Sequence, residues 1–212
     1  MSKPADTARD GSSDEYTTLR TRTRAVLTVR GSRFIAEAFP VAERDECEGV
    51  LGGRVKEYFD ATHHCYAYRL GPDGAQFRAH DDGEPAGSAG RPILAAIDAA
   101  GLVGVIVVVT RYFGGTKLGT GNLGRAYRSA AEESLASGER LTRVLCDLLA
   151  FSIPHACVGP VMRAVAGAGG RIASSEYAGD VRMEIEIRRS HASALRTALI
   201  EGTGGAVRFS GR

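Results

Sequence analysis

Leu102–Gly138 reads LVGVIVVVTRYFGGTKLGTGNLGRAYRSAAEESLASG. Its opening, Leu102–Thr110, is a continuous apolar run rich in Val and Ile. That pattern predicts a strand covered on both faces. The middle is glycine-rich, from Gly114 to Gly124, and leads into a helix expected from about Leu123 to Ser137, closed by Gly138. A strand buried on both sides needs layers above and below it. This one stretch therefore predicts a mixed sheet-and-helix unit.

The elements upstream belong to the same unit. Ala25–Val29 and Phe34–Val41 read as two strands joined at Gly31-Ser32. Glu43–Phe59 carries Cys47, Val50, Leu51, Val55 and Tyr58 at helical spacing, with acids in the first turn. His64–Leu70 and Gln76–His80 read as strands around the turn Gly71–Gly74. After the Asp81–Gly90 loop, a helix begins near Pro92, buries Ile93, Leu94 and Ile97, and ends at Gly101. The helices of this unit are expected on one face of its sheet.

Downstream the pattern changes. Strands are expected at about Val144–Ile153, Arg171–Tyr177, Val181–Arg188 and Ala206–Ser210, and helices at about Cys157–Ala166 and His191–Ile200. Val181, Met183, Ile185 and Ile187 alternate with Arg182, Glu184 and Glu186, so this strand has one wet face. The order β-α-β-β-α-β is ferredoxin-like. The fold class is α+β, with a disordered tail over 1–15, a first domain over 16–139 and a second over 140–212.

Composition fits this picture. Of 212 residues, 43% are hydrophobic and 25% charged, and the net charge is +2. That charge is too small to mark a polybasic module, so a basic site must be a local patch. Cys47, Cys65, Cys146 and Cys157 form no C-x-x-C pair and read as reduced core thiols, expected in the cytoplasm. No apolar run approaches the roughly 20 residues of a membrane span. No zinc site, disulfide or cofactor is expected. His63 and His64 point to opposite faces of a strand, and no ligand pair has zinc-finger spacing.

Chemistry concentrates in three stretches. In Thr110–Tyr127, Arg111, Lys117 and Arg125, with Arg128 just beyond, are cations with no acid between Arg111 and Arg128. Gly114, Gly115, Gly119 and Gly121 can present backbone amides ahead of a helix N-terminus, which together suits an anion or phosphate. The alternative is a tight connection whose cations are solvated or paired with Asp81, Asp82 and Glu84. Those three carboxylates could instead serve as metal ligands or a base, but also suit turns and caps. They sit with His64 and His80 in an accessory polar cluster. A Cys65–His80 nucleophile pair has no visible activation. The two loops of opposite charge flank one helix and one strand, and are expected to meet.

These stretches, with HCYAY at His64–Tyr68, DDGEPAGSAGRPIL at Asp81–Leu94 and VVVTRYFGGTKLGTGNLGRAY at Val107–Tyr127, resemble the IMPACT (YigZ-like) family. The match covers about Arg30–Ala136. Ser88 stands where Thr is usual, and Asn122 and Gly124 where Gly and Val are typical. The resemblance implies a first domain with the ribosomal-protein-S5 second-domain fold. It implies a second domain like a ferredoxin-like module of translation elongation factor G. Functionally it implies a regulatory protein linked to translation; together with the basic patch, the expectation is a binding protein that contacts RNA, the ribosome or a regulatory protein through the basic loop, with no membrane role. The competing reading is an enzyme acting on a phosphorylated or nucleotide substrate through Asp81, Asp82 or Glu84.

Overall fold

The structure is a computed structural model that describes residues 14–210. The tail expected over 1–15 lies outside the described residues up to 13, and Glu15 begins a strand. Two compact units are present, one spanning Tyr16–Arg143 and one running from Val144 on together with Asp14 and Glu15.

The first unit contains β1 (Glu15–Leu19), β2 (Thr23–Val29), β3 (Ser32–Pro40), α1 (Arg44–Glu57), β4 (His63–Leu70), β5 (Gln76–His80), α2 (Gly90–Ala100), β6 (Val105–Tyr112), α3 (Thr120–Ala136) and β7 (Arg140–Val144). Five strands form an antiparallel sheet in the order β2-β3-β6-β4-β5. β6 is central, and every residue from Val105 to Arg111 is buried, as the apolar run predicts. β1 and β7 form a separate two-stranded ribbon. The sequence reading has neither strand, because each is five residues long and lacks alternation.

Alternate residues of β6 feed two cores. Val105, Val107 and Val109 pack with Cys65, Ala67, Ile93, Ile97, Leu123 and Tyr127, beneath α2 and α3. Ile106 and Val108 pack with Tyr66, Tyr68 and Cys47, beneath α1. The helices therefore lie on both faces, which corrects the single helical face expected from sequence. The cover from α1 is partial, since Val55 is 42% exposed and only Cys47 of this helix is fully buried. Its glycines at 49, 52 and 53 dilute the apolar stripe that the spacing suggested.

Two local features set up the site. The β2–β3 turn is tight, with Arg30 at φ 46° and Gly31 at φ 82°, the mirror-image turn favoured in hairpins. α3 starts at Thr120, three residues earlier than expected, because Gly119 at φ 74° turns the chain into it. Gly124 then lies inside the helix, where a Cβ would sit 3.5 Å from Pro92 of α2. That is ordinary van der Waals spacing, so the contact between the two helices does not require glycine there.

The second unit contains β8 (Cys146–Ile153), α4 (Val158–Ala168) after a short 3-10 turn at His155–Cys157, β9 (Arg171–Tyr177), β10 (Val181–Arg188), α5 (Arg189–Gly202) and β11 (Arg208–Phe209). The sheet order is β11-β8-β10-β9, all antiparallel. Val181, Met183, Ile185 and Ile187 bury into a core with Val161, Val165, Leu195 and Leu199. All four cysteines are free thiols, but only Cys47 and Cys65 are core residues; Cys146 is exposed. No helix among the described residues is long and apolar enough to cross a membrane.

Candidate functional site

The acidic loop is a structural clasp. Asp81 Oδ1 accepts the backbone N–H groups of Ala89 and Gly90 at 2.9 and 2.8 Å, and Oδ2 accepts that of Gly87 at 2.8 Å. Burial raises the Asp81 carboxyl, but these three donors, with His80 nearby, outweigh it and hold the group below its ordinary value of 3.8. Asp82, at φ 44°, accepts the His64 N–H at 2.6 Å, and its carbonyl lies 2.7 Å from His63 Nδ1. The loop is thereby bolted to the start of β4.

Glu84 turns inward. Its Oε1 accepts Arg111 at 2.5 Å and the Tyr127 hydroxyl at 2.7 Å, and the Glu84 and Arg111 side chains are 5% and 6% exposed. Arg111 also donates to Ser32 Oγ at 3.2 Å, and Ser32 Oγ accepts the Gly114 N–H at 3.1 Å. The Arg111 guanidinium sits between two rings, 5.4 Å from the centroid of Phe34 and 5.5 Å from that of Phe113. Its Nε is buried with no partner. Cys65 Sγ lies 2.9 Å from the Asp81 carbonyl and 3.3 Å from Tyr127 Oη. Burial pushes the Cys65 thiol far above its ordinary range, and the nearby carboxylates add to this. A thiol so protonated is an inert core group rather than a nucleophile.

The glycine loop is the exposed part. Gly114, Gly115, Lys117, Gly119 and Gly121 are all exposed, while Leu118 between them is buried. Asn122 Nδ2 donates to the Leu118 carbonyl at 2.9 Å, and Arg125 donates to Asn122 Oδ1 at 2.6 Å. Arg125 and Arg30 face a shallow groove of about 210 Å³, floored by Leu27, Val29 and Ala126. Beside the loop, Tyr112 Oη donates to Asp60 at 2.7 Å, the Phe113 N–H donates to Thr62 Oγ1 at 3.1 Å, and the Thr62 N–H donates to the Arg111 carbonyl at 2.9 Å. These bonds tie the end of β6 to the segment after α1.

Several expectations need revision on this geometry. Glu84 and Arg111 do meet, but as a closed internal pair, so Arg111 is not presented to an external anion. The Gly114 N–H, donated to Ser32 Oγ, is likewise not offered to a ligand, whereas Arg128 stays on the surface in an exposed pair with Glu132 at 2.7 Å. The accessory polar cluster is split by the sheet. His63, Cys65 and Glu84 lie on the α3 side, whereas His64 bonds Thr110 and His80 stacks on Tyr66, on the α1 side. Strand alternation is the reason, and it also removes the Cys65–His80 pair. Burial lowers the His64 pKa, with Asp82 opposing. The carboxylates are spent on backbone donors and on Arg111, and among the described residues no group of three or more His, Cys, Asp or Glu could hold a metal ion. The site set expected from sequence does not contain Ser32, Arg30, His63 or Asn122, although His63 enters the zinc argument and Asn122 the family comparison. The parity of His63 with Cys65 on one strand was the available signal for His63.

This is a two-unit α+β protein with an exposed glycine-rich loop that is backed by a buried ion pair. Residues 30–135 match the Impact N-terminal domain and residues 151–206 a domain of unknown function (DUF1949). The chain belongs to the IMPACT family. It is 45% identical over 133 residues to the IMPACT family member in pol 5'region of Thermus thermophilus, covering 63% of this chain and 71% of that protein. It is 30% identical over 190 residues to IMPACT family member YvyE of Bacillus subtilis, covering 90% and 88%. Protein IMPACT of Rattus norvegicus is 37% identical over 100 residues, 45% of this chain and 31% of that one. A solved structure titled as a hypothetical protein superposes with a TM-score of 0.68 at 25% identity, covering 94% of this chain and 98% of that one.

Proposed function

We propose that this chain is a translation-linked binding protein that contacts RNA through the exposed glycine loop and the cations around it. The observation that carries the reading is the division of labour among the cations. Arg111 is consumed inside the fold, while Lys117 and Arg125 stand exposed on either side of amide-bearing glycines at the start of α3. Neither of the two is ion-paired among the described residues. Exposed amides and helix N-termini complement phosphate, and Lys and Arg supply charge. The translation link is supported by the family's association with translational regulation. The loss of Arg111 from the binding set leaves a compact footprint of a few phosphate contacts, which suits modest affinity.

Binding of labelled RNA across a salt series tests the reading. Replacing Lys117 and Arg125 with Ala should weaken binding similarly for all RNA sequences and flatten the salt slope by roughly one unit per lost contact. Thermal unfolding of the same variant should be unchanged, because exposed charges contribute less than about 1 kcal/mol each. Unchanged binding, or no RNA binding by the parent chain, would reject the reading.

A further inference from the structure

We infer that the RNA is single-stranded, with unpaired bases laid on Phe113 and Phe59 while its phosphates meet Arg30, Arg33, Lys117 and Arg125; this rests on the RNA reading above. The observation is a pair of exposed aromatic side chains, Phe113 and Phe59, on two segments that meet at the same end of the sheet as the basic loop. Phe113 is 47% exposed and Phe59 is 83% exposed. Sequence spacing separates them by more than fifty residues. The Tyr112–Asp60 and Phe113–Thr62 hydrogen bonds bring their segments side by side.

The Phe113 ring is held in place. One face rests on the Arg111 guanidinium, which is itself fixed by Glu84, Ser32 and the Phe34 ring. The buried ion pair thus acts as a prop beneath an exposed ring. A ring packed on a fixed group loses less entropy when a base stacks on it than a free ring would. Tyr112 is steadied in the same way by Arg33, 4.5 Å above its centroid.

The surrounding charge fits a nucleic-acid strand. The hairpin tip carrying Arg30 is packed against the loop, with a Cβ on Gly114 falling 2.0 Å from the Gly31 carbonyl carbon. Arg30 and Arg125 line the adjoining groove. Arg33, Arg30, Lys117 and Arg125 are exposed; of the acids next to Phe59, Asp60 accepts the Tyr112 hydroxyl and Glu57 pairs with Arg54. A duplex keeps its bases stacked inside and offers mainly backbone, so exposed rings would add nothing to its binding. Unpaired bases present faces that any aromatic ring can take, with cations tracking the phosphates.

The test is fluorescence anisotropy with a labelled 12-nucleotide oligouridylate and a 12-base-pair RNA duplex, each titrated across salt. The parent should prefer the single strand. Phe59→Leu and Phe113→Leu should each weaken single-strand binding about three- to tenfold with the salt slope unchanged. Phe113→Tyr, which keeps the ring, should bind like the parent. Phe59 is too exposed for its replacement to disturb folding, so its effect reads binding directly. Equal affinity for duplex and single strand, or parental binding by both leucine variants, would overturn the inference while leaving the phosphate contacts of Lys117 and Arg125 standing. A parent that binds neither RNA would remove both.

Discussion

Removing one partner from the Glu84–Arg111 pair leaves a charge in a site closed to water. Glu84→Gln keeps the shape but strands the guanidinium, whose Nε already lacks a partner. Breaking a buried pair in this way costs about 3–5 kcal/mol. A calorimetric melt should therefore show the first unit losing roughly 10 °C or more, and a parental melting temperature would show the pair to be dispensable. Asp81 gives a pH-dependent counterpart. Its carboxyl is held below 3.8 in the fold, so the folded state favours the ionised form. The resulting stability is present above the unfolded value, and is lost as pH falls through the lower folded value. Asp81→Asn should thus melt below the parent at pH 7, and the gap should begin to close as pH falls below about 4. A gap independent of pH would assign the effect to lost geometry alone.

At the scale of elements, the contact between the β2–β3 turn and the glycine loop has no room for a side chain. A Cβ on Gly114 would lie 2.0 and 2.2 Å from the Gly31 carbonyl carbon and oxygen, which are backbone atoms. Gly114→Ala must push the hairpin away, at a cost of about 1–3 kcal/mol, measurable by urea unfolding. Wild-type stability in that variant would mean the two turns separate freely. Most elements of the fold could be read from the residues. The apolar run of β6, the alternation of β10 and the αL glycine at 101 each carry a local physical signature. β1 and β7 could not be read, because a five-residue ribbon is defined by its partner rather than by its own pattern. The site was legible as composition but not as arrangement. The residues of the acidic and basic loops were visible as chemistry, yet which cation turned inward depended on strand parity and on Tyr127 arriving from α3. Phe59 had no signal at all, since only the folded sheet brings the end of α1 beside the end of β6.

Across the whole molecule, each unit has its own core, one around Val107, Ile97 and Tyr127 and the other around Ile185, Leu195 and Phe151. A unit with a closed core of this size is expected to fold alone. A fragment of residues 14–143 should show a cooperative melt and keep the RNA affinity of the full chain; a non-cooperative fragment would mean that the second unit is required. The position of β6 carries a separate consequence for how the chain reaches this state. The β2–β3 and β4–β5 hairpins are local, but they join only through β6, whose residue Arg111 pairs with Phe34 on one side and His63 on the other. Such distant pairings delay assembly. During synthesis both hairpins exist before their shared neighbour has emerged, each with an unsatisfied edge. When Val-Ile-Val-Val-Val at 105–109 appears, it is an uncharged β-prone segment whose only safe destination is the gap between them. Until it is seated, the same sequence that makes the sheet is the chain's chief liability to self-association.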